Sequence, residues 1–289
     1  MTSPTALLAN RHLRFAAIDL DGTLLGPDLK ISADNRRAVA RLQAAGLEVV
    51  IASGRHHQSI KPFALELQGV RWIVSAQGGE VSDVTRGTVL SRTFLARDRV
   101  DAVGAMQKTL GLSAILYGSE AIFADARSTD DVEFYAELSG LRPLRMPVFQ
   151  SDPAPFFKIL WVGTPEMIDS ISGDQRMPTL GVQMVRTHRR LLEFMPTEVS
   201  KASGLATLTK HLGMTAGEAV VFGDADNDIP MFEWAAESFA MAHGWPSALQ
   251  RARRIATDGS PESAFSRAVD MLLGTAVANG GRERKNTFA

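Results

Sequence analysis

Asp19-Leu20-Asp21-Gly22-Thr23 sets two carboxylates one residue apart and follows them with a glycine and a hydroxyl. Unpaired carboxylates that close repel, and one is driven to keep its proton. A divalent cation removes the conflict, because hard cations such as Mg²⁺ take oxygen ligands. Gly22 lets the backbone turn tightly and carry an N–H toward an anion, and the Thr23 hydroxyl can donate to the same anion. These five residues read as a carboxylate, a metal and a phosphate brought together. The competing reading is an acidic turn after a strand, since Asp and Gly are ordinary turn residues. Only other segments pointing to the same place separate the two.

The elements around the motif supply that convergence. Phe15-Ala16-Ala17-Ile18, directly before it, reads as a buried strand of a parallel sheet. Leu47 to Ala52 reads as a second such strand and ends in Ser53-Gly54-Arg55. Ala219-Val220-Val221-Phe222 is a third, ending in Gly223-Asp224-Ala225-Asp226-Asn227-Asp228. Ser200-Lys201-Ala202-Ser203-Gly204 opens a helical pattern through Leu205, Leu208 and Leu212. In a parallel sheet these ends meet along one edge, where open α/β sheets keep their binding crevice. The converging set is two acidic clusters, a serine hydroxyl and a lysine, which suits a metal and a phosphate.

Asp19-Leu20-Asp21-Gly22-Thr23, Ser53-Gly54-Arg55, Lys201 and Gly223-Asp224 through Asn227-Asp228 together resemble the four ordered motifs of the haloacid dehalogenase superfamily. The long gap between the second and third motifs is similar to that of the Cof-type, type IIB phosphatases, which carry a large cap there. One departure is visible: members often have Asn-Gly-Ala after the third core strand, and here Trp72 to Ala76 is followed by Gln77-Gly78-Gly79.

The resemblance implies a Rossmann-like, doubly wound parallel-sheet core of the α/β class with an inserted α+β cap. It implies Asp19 as the nucleophile that forms an aspartyl-phosphate, and Asp21 as the acid/base. Mg²⁺ would be held by Asp19, the backbone carbonyl of Asp21, and Asp224, with Asp228 nearby. Gly22, Thr23, Ser53, Gly54 and Lys201 would bind the transferring oxygens, and Asn227 would orient phosphate or Asp224. Arg55 is either a substrate contact or a structural ion-pair partner.

Composition agrees with a soluble two-domain enzyme. A chain of 289 residues is large for one core, so two domains are expected, and 45% hydrophobic residues suffice to bury a core. Lys and Arg number 31 against 32 Asp and Glu, a net charge of −1, so no general attraction to nucleic acid or anionic membrane is expected. With 0 cysteines, disulfides, thiol catalysis and zinc-thiolate sites are excluded. No apolar stretch spans a bilayer, and Met1 to Arg14 lacks signal-peptide organisation, so a cytoplasmic location is expected.

The pattern divides the chain into a discontinuous core, residues 1–80 and 191–279, an insert over 81–190, and a polar, Gly-rich tail over 280–289 expected to be disordered. In the core, the helix from Ala33 to Ala45 stops at Gly46, and Pro261 suits the first turn of a last helix through Ala264 to Leu273. In the insert, Val81 to Leu95 reads as a hairpin turning at Arg86-Gly87. Ile115-Leu116-Tyr117 and Ile122-Phe123-Ala124 read as strands around Gly118, and Thr164-Pro165-Glu166 starts a helix.

Other conspicuous residues receive plainer readings. His56 and His57 are read as surface residues at a helix start, Arg251, Arg253 and Arg254 as a solvated helix face, and Met184 and Met195 as core filler. His188, Arg189 and Arg190 lie near the expected return from insert to core and are read as ordinary loop residues, with contact to substrate as the lesser alternative. The expected function is Mg²⁺-dependent hydrolysis of a small soluble phosphorylated metabolite, such as a sugar phosphate. A phosphosugar mutase sharing the covalent intermediate and a non-catalytic phosphometabolite-binding protein are the alternatives. Asp21 speaks against the binder, which has no need of an acid two positions after the nucleophile. Oligomeric state is not legible.

Overall fold

The computed structural model describes residues 12–125, 127–145 and 155–274. Two sheets carry it. The strands of the first are β1 (Phe15–Ile18), β2 (Glu48–Ala52), β3 (Trp72–Ser75), β4 (Glu80–Asp83) and β5 (Val89–Arg92). The second takes β6 (Ser113–Tyr117), β7 (Ile122–Asp125), β8 (Leu144–Arg145), β9 (Lys158–Val162), β10 (Gln183–His188) and β11 (Leu191–Met195). The chain then returns to the first sheet with β12 (Ala219–Gly223), β13 (Glu237–Ala240) and β14 (Arg254–Ile255).

The first sheet runs β14-β13-β12-β1-β2-β3-β4-β5. Every pairing from β14 to β3 is parallel, and β4 and β5 add an antiparallel edge. From β1 the chain winds outward through β2 and β3, then returns to lay β12 on the other side of β1. The order reverses between β1 and β12, so a crevice opens beyond their carboxyl ends. Asp19 and Asp224 follow those two ends.

Alternation along β1 explains why helices cover both faces. Ala16 and Ile18 pack with Ala38, Val39 and Leu42 of the helix Ala33–Ala44 and with Phe265, Ala268, Val269 and Leu272 of the helix Ala264–Leu273. Phe15 and Ala17 face the other way, onto Leu205 and Leu208 of the helix Lys201–His211 and Met231 and Phe232 of the helix Ile229–Trp234.

The second sheet runs β10-β11-β9-β6-β7-β8 and is antiparallel except between β7 and β8. One face packs on the helices Arg97–Leu110 and Pro165–Ser172, and the other takes Val132 and Tyr135 of the helix Thr129–Ser139. On that second face Ala76, in the turn between β3 and β4 of the first sheet, is also buried, so the two sheets meet there.

Several expectations change. The hairpin over residues 80–92, assigned to the insert, extends the first sheet, because β4 pairs with β3. At the other boundary Leu191–Met195, assigned to the core, pairs with β9 and β10 in the second sheet. Pro261 sits in a short 3₁₀ turn ahead of the last helix. Arg254 is no part of a helix face; it lies on edge strand β14 and pairs with Glu237 at 2.9 Å. The expected tail over 280–289 lies outside the described residues.

Candidate active site

Each site residue owes its place to local chain geometry. Gly22 has φ +77°, and a Cβ there would stand 2.4 Å from Asp224 Oδ2, so only glycine lets the first loop pass so close to the fourth. Lys201 opens the helix Lys201–His211 under a reciprocal cap. The Ser203 N–H donates to Ser200 Oγ at 3.2 Å, and the Ser200 N–H to Ser203 Oγ at 2.9 Å. Lys201 Nζ reaches Asp19 Oδ1 and, at 2.6 Å, Asp228 Oδ1. The fourth loop holds Asp228 as well, for its Oδ2 accepts the N–H groups of Asp224 at 2.9 Å and Ala225 at 3.0 Å. It anchors Lys201 and the fourth loop and also stands among the carboxylates that could hold a cation.

Ligand oxygens of Asp19, Asp224 and Asp228 all lie within 4.8 Å of one another. Three carboxylates share one ammonium there. Burial raises the Asp19 pKa to about 7, with Lys201 opposing and Asp228 and Asp21 reinforcing. Asp224 is held well above its ordinary value, first by burial and then by Asp19 and Asp228. Against the desolvation of burial, Asp19 and Asp228 keep Lys201 firmly protonated. The cluster thus lacks positive charge and offers hard oxygens, a donor set that fits a divalent cation.

These groups open on a cleft of about 420 Å³ between the two sheets. Asp19, Asp21, Gly22, Ser53, Gly54, Arg55, Asp224 and Asn227 line it, so eight of the eleven expected site residues are brought together. Thr23, Lys201 and Asp228 lie behind that wall, fully buried. The Thr23 hydroxyl donates to Asp224 Oδ1 at 3.3 Å, which orients a carboxylate where an anion contact was expected. Asn227 Nδ2 donates to Gln77 Oε1 at 3.2 Å, so its amide is engaged by the residue that departs from the family pattern.

Arg55 grips both oxygens of Asp21, from Nε at 2.7 Å and Nη2 at 2.5 Å, and its Nη1 donates to the Ser139 carbonyl at 3.1 Å. The ion-pair alternative is the one realised. His56 and His57 are buried, contrary to the surface reading, with Nε2 of each meeting a backbone carbonyl, Gly118 at 3.0 Å and Val84 at 3.2 Å. Met195 is core as expected, and Met184 packs against that core at its margin. His188 lines the cleft, whereas Arg190 turns to Asp131 at 2.9 Å.

The sequence reading missed the second sheet's contribution. Glu193, Thr187, Tyr117 and Tyr135 face the cleft, and Lys158 lies buried beside them. A signal existed: Lys158-Ile159-Leu160-Trp161-Val162 and Leu191-Leu192-Glu193-Phe194 each place one charge in an apolar strand. Such charges are buried only when paired.

A family model described as haloacid dehalogenase-like hydrolase matches residues 16–265. An HMP-PP phosphatase of Serratia proteamaculans is 26% identical over 241 residues, covering 81% of this chain and 85% of its own. The 5-amino-6-(5-phospho-D-ribitylamino)uracil phosphatase YwtE of Bacillus subtilis is 25% identical over 288 residues, covering 90% and 98%. Among solved structures, a haloacid dehalogenase-like hydrolase from Bacteroides thetaiotaomicron superposes with a TM-score of 0.78 at 27% identity, covering 89% of this chain and 98% of its own.

Proposed function

The chain belongs to the haloacid dehalogenase-like hydrolases, Cof-type, and from that membership we propose that it is a Mg²⁺-dependent phosphomonoesterase working through an aspartyl-phosphate on Asp19. It is an enzyme acting as a phosphatase on small phosphorylated substrates. The observation that carries the finer reading is the buried Asp19 carboxylate, fixed by Lys201 and crowded by Asp224.

Asp19 and Asp224 would hold the cation. When bound, it supplies charge that offsets the repulsion between an attacking carboxylate and a dianionic phosphate. Lys201 holds one Asp19 oxygen, which aims the other into the cleft for attack on phosphorus. The bond from phosphorus to the leaving oxygen then breaks, and Asp21 delivers a proton to that oxygen. In the second step Asp21 takes a proton from water, which attacks the phosphoryl group on Asp19 and frees phosphate. The Arg55 grip fixes the orientation of both Asp21 oxygens at the cleft wall. The first step requires that grip to open as substrate enters. The Ser53 hydroxyl donates to a transferring oxygen.

The test is trapping. Wild-type enzyme quenched during turnover of a labelled aryl phosphate should carry label on the peptide containing Asp19. Asp19→Asn should carry none and turn over at a negligible rate, while Asp21→Asn should bind phosphate and slow both steps. Near-normal kcat in Asp19→Asn would exclude covalent catalysis at that residue.

A further inference from the structure

Lys158 begins β9 in the second sheet and is 1% exposed. Its ammonium has three partners. Nζ donates to the Gly54 carbonyl at 2.6 Å and to Glu193 Oε2 at 2.6 Å, and it sits 4.5 Å from the centre of the Tyr117 ring. Glu193 in turn accepts from Thr187 Oγ1 at 2.7 Å and from Gln77 Nε2 at 3.3 Å. A buried ion pair is a weak source of stability, since well-packed apolar residues of similar volume often serve as well or better. What this pair does that an apolar pair would not is hold one specific backbone carbonyl.

That carbonyl belongs to the peptide between Gly54 and Arg55, which is planar and trans, so its N–H points away from Lys158. The N–H donates to Ser53 Oγ at 3.2 Å. A serine hydroxyl that already accepts on one side turns its own hydrogen elsewhere, and Ser53 lines the cleft. Rotation of the peptide is obstructed as well. A Cβ on Gly54 would come 2.4 Å from Gln77 Nε2, and Gln77 is itself held by Glu193 and Asn227.

We propose that Lys158 is a positioning residue for the Ser53 hydroxyl, so that the inserted sheet helps to hold the phosphoryl group itself as well as facing the leaving group. This rests on the phosphatase reading above. Closing the two sheets on each other brings Lys158 to Gly54 and thereby orients the donor, which links sheet contact to phosphate binding on every substrate.

Lys158→Met alone strands Glu193, so the decisive variant is Lys158→Met with Glu193→Leu, which removes both charges together. Its kcat/KM on an aryl phosphate should fall about tenfold to a hundredfold, less than the about hundredfold to thousandfold of a donor removed outright, because the Ser53 hydroxyl stays but loses its aim. Orthophosphate affinity, measured by calorimetry with Mg²⁺ present, should weaken several-fold while the circular dichroism spectrum stays native. In a Ser53→Ala background the same two substitutions should cost almost nothing further, because both act through one hydrogen bond. Losses that simply add to that of Ser53→Ala, or a double variant with wild-type phosphate affinity, would overturn the positioning role. A native wild type without turnover would instead overturn the phosphatase reading, while its orthophosphate affinity would still report on Lys158.

Discussion

At the scale of single residues, burial decides which chemistry a side chain has left. His56 shows this outside the site. Its Nδ1 accepts the Gln58 N–H at 3.2 Å and its Nε2 meets the Gly118 carbonyl at 3.0 Å, an arrangement that needs the neutral ring with hydrogen on Nε2. Burial depresses its pKa to about 4 from an ordinary 6.5, the Gly118 contact opposing. A base whose folded pKa lies below its unfolded one binds fewer protons in the fold, so its neutral form stabilises the fold above pH 6.5. That contribution is lost as the pH falls from 6.5 toward 4. The size is a few kcal/mol at most, from about 1.4 kcal/mol per pH unit. Denaturant midpoints measured between pH 7 and 4.5 should drop more steeply for the wild type than for His56→Gln. Parallel profiles would show that His56 does not carry the effect.

At the scale of elements, turns and helix ends do the placing. The helix Lys201–His211 carries Lys201 in its first position, where the Ser200–Ser203 pair satisfies N–H groups that would otherwise lack partners. Ser200→Ala should lower unfolding free energy by about 1 kcal/mol, as loss of an N-cap does. It should also lower kcat, because Lys201 loses its fixed origin while keeping its charge. Denaturant titration and steady-state kinetics on the same preparation check both. A full loss of stability with unchanged kcat would place the cap in folding alone. The turn between β3 and β4 shows the same control. Gln77 adopts φ +61°, a left-handed conformation uncommon for a side-chain-bearing residue, and this turn carries its amide between Glu193 and Asn227.

Across the whole molecule, the acidic cluster at the junction of β1 and β12 stores a charge imbalance that a cation relieves only in the folded chain. A ligand bound by the folded form alone raises stability by mass action, about 2.7 kcal/mol at a hundred times its Kd. At constant ionic strength Tm should therefore climb with Mg²⁺ concentration, while replacing one monovalent salt by another after chelation should leave it unchanged. Asp224→Asn should abolish most of that climb. An equal Mg²⁺-dependent rise in this variant would move the cation elsewhere. Among the described residues no helix is long and apolar enough to cross a membrane.

The local code was legible where it depends on neighbours in sequence. Apolar runs ending in Asp19, Ser53 and Asp224 announced parallel strands with chemistry at their ends, because strand period and turn residues are short-range properties. The helix starting after Thr164 and the hairpin at Arg86-Gly87 were readable for the same reason. Tertiary structure alone decided which groups touch. Sequence separation hides that Arg55 would take Asp21, that Asp228 would spend both oxygens on Lys201 and the loop, and that His56 and His57 would be enclosed. It also hid the sheet to which β4, β5 and β11 belong, because a strand's own residues specify its pleat but not its partner. Lys158 is the clearest instance: a lysine in an apolar strand signals pairing, yet only the packing of one sheet against the other brings it to Gly54, 104 residues away.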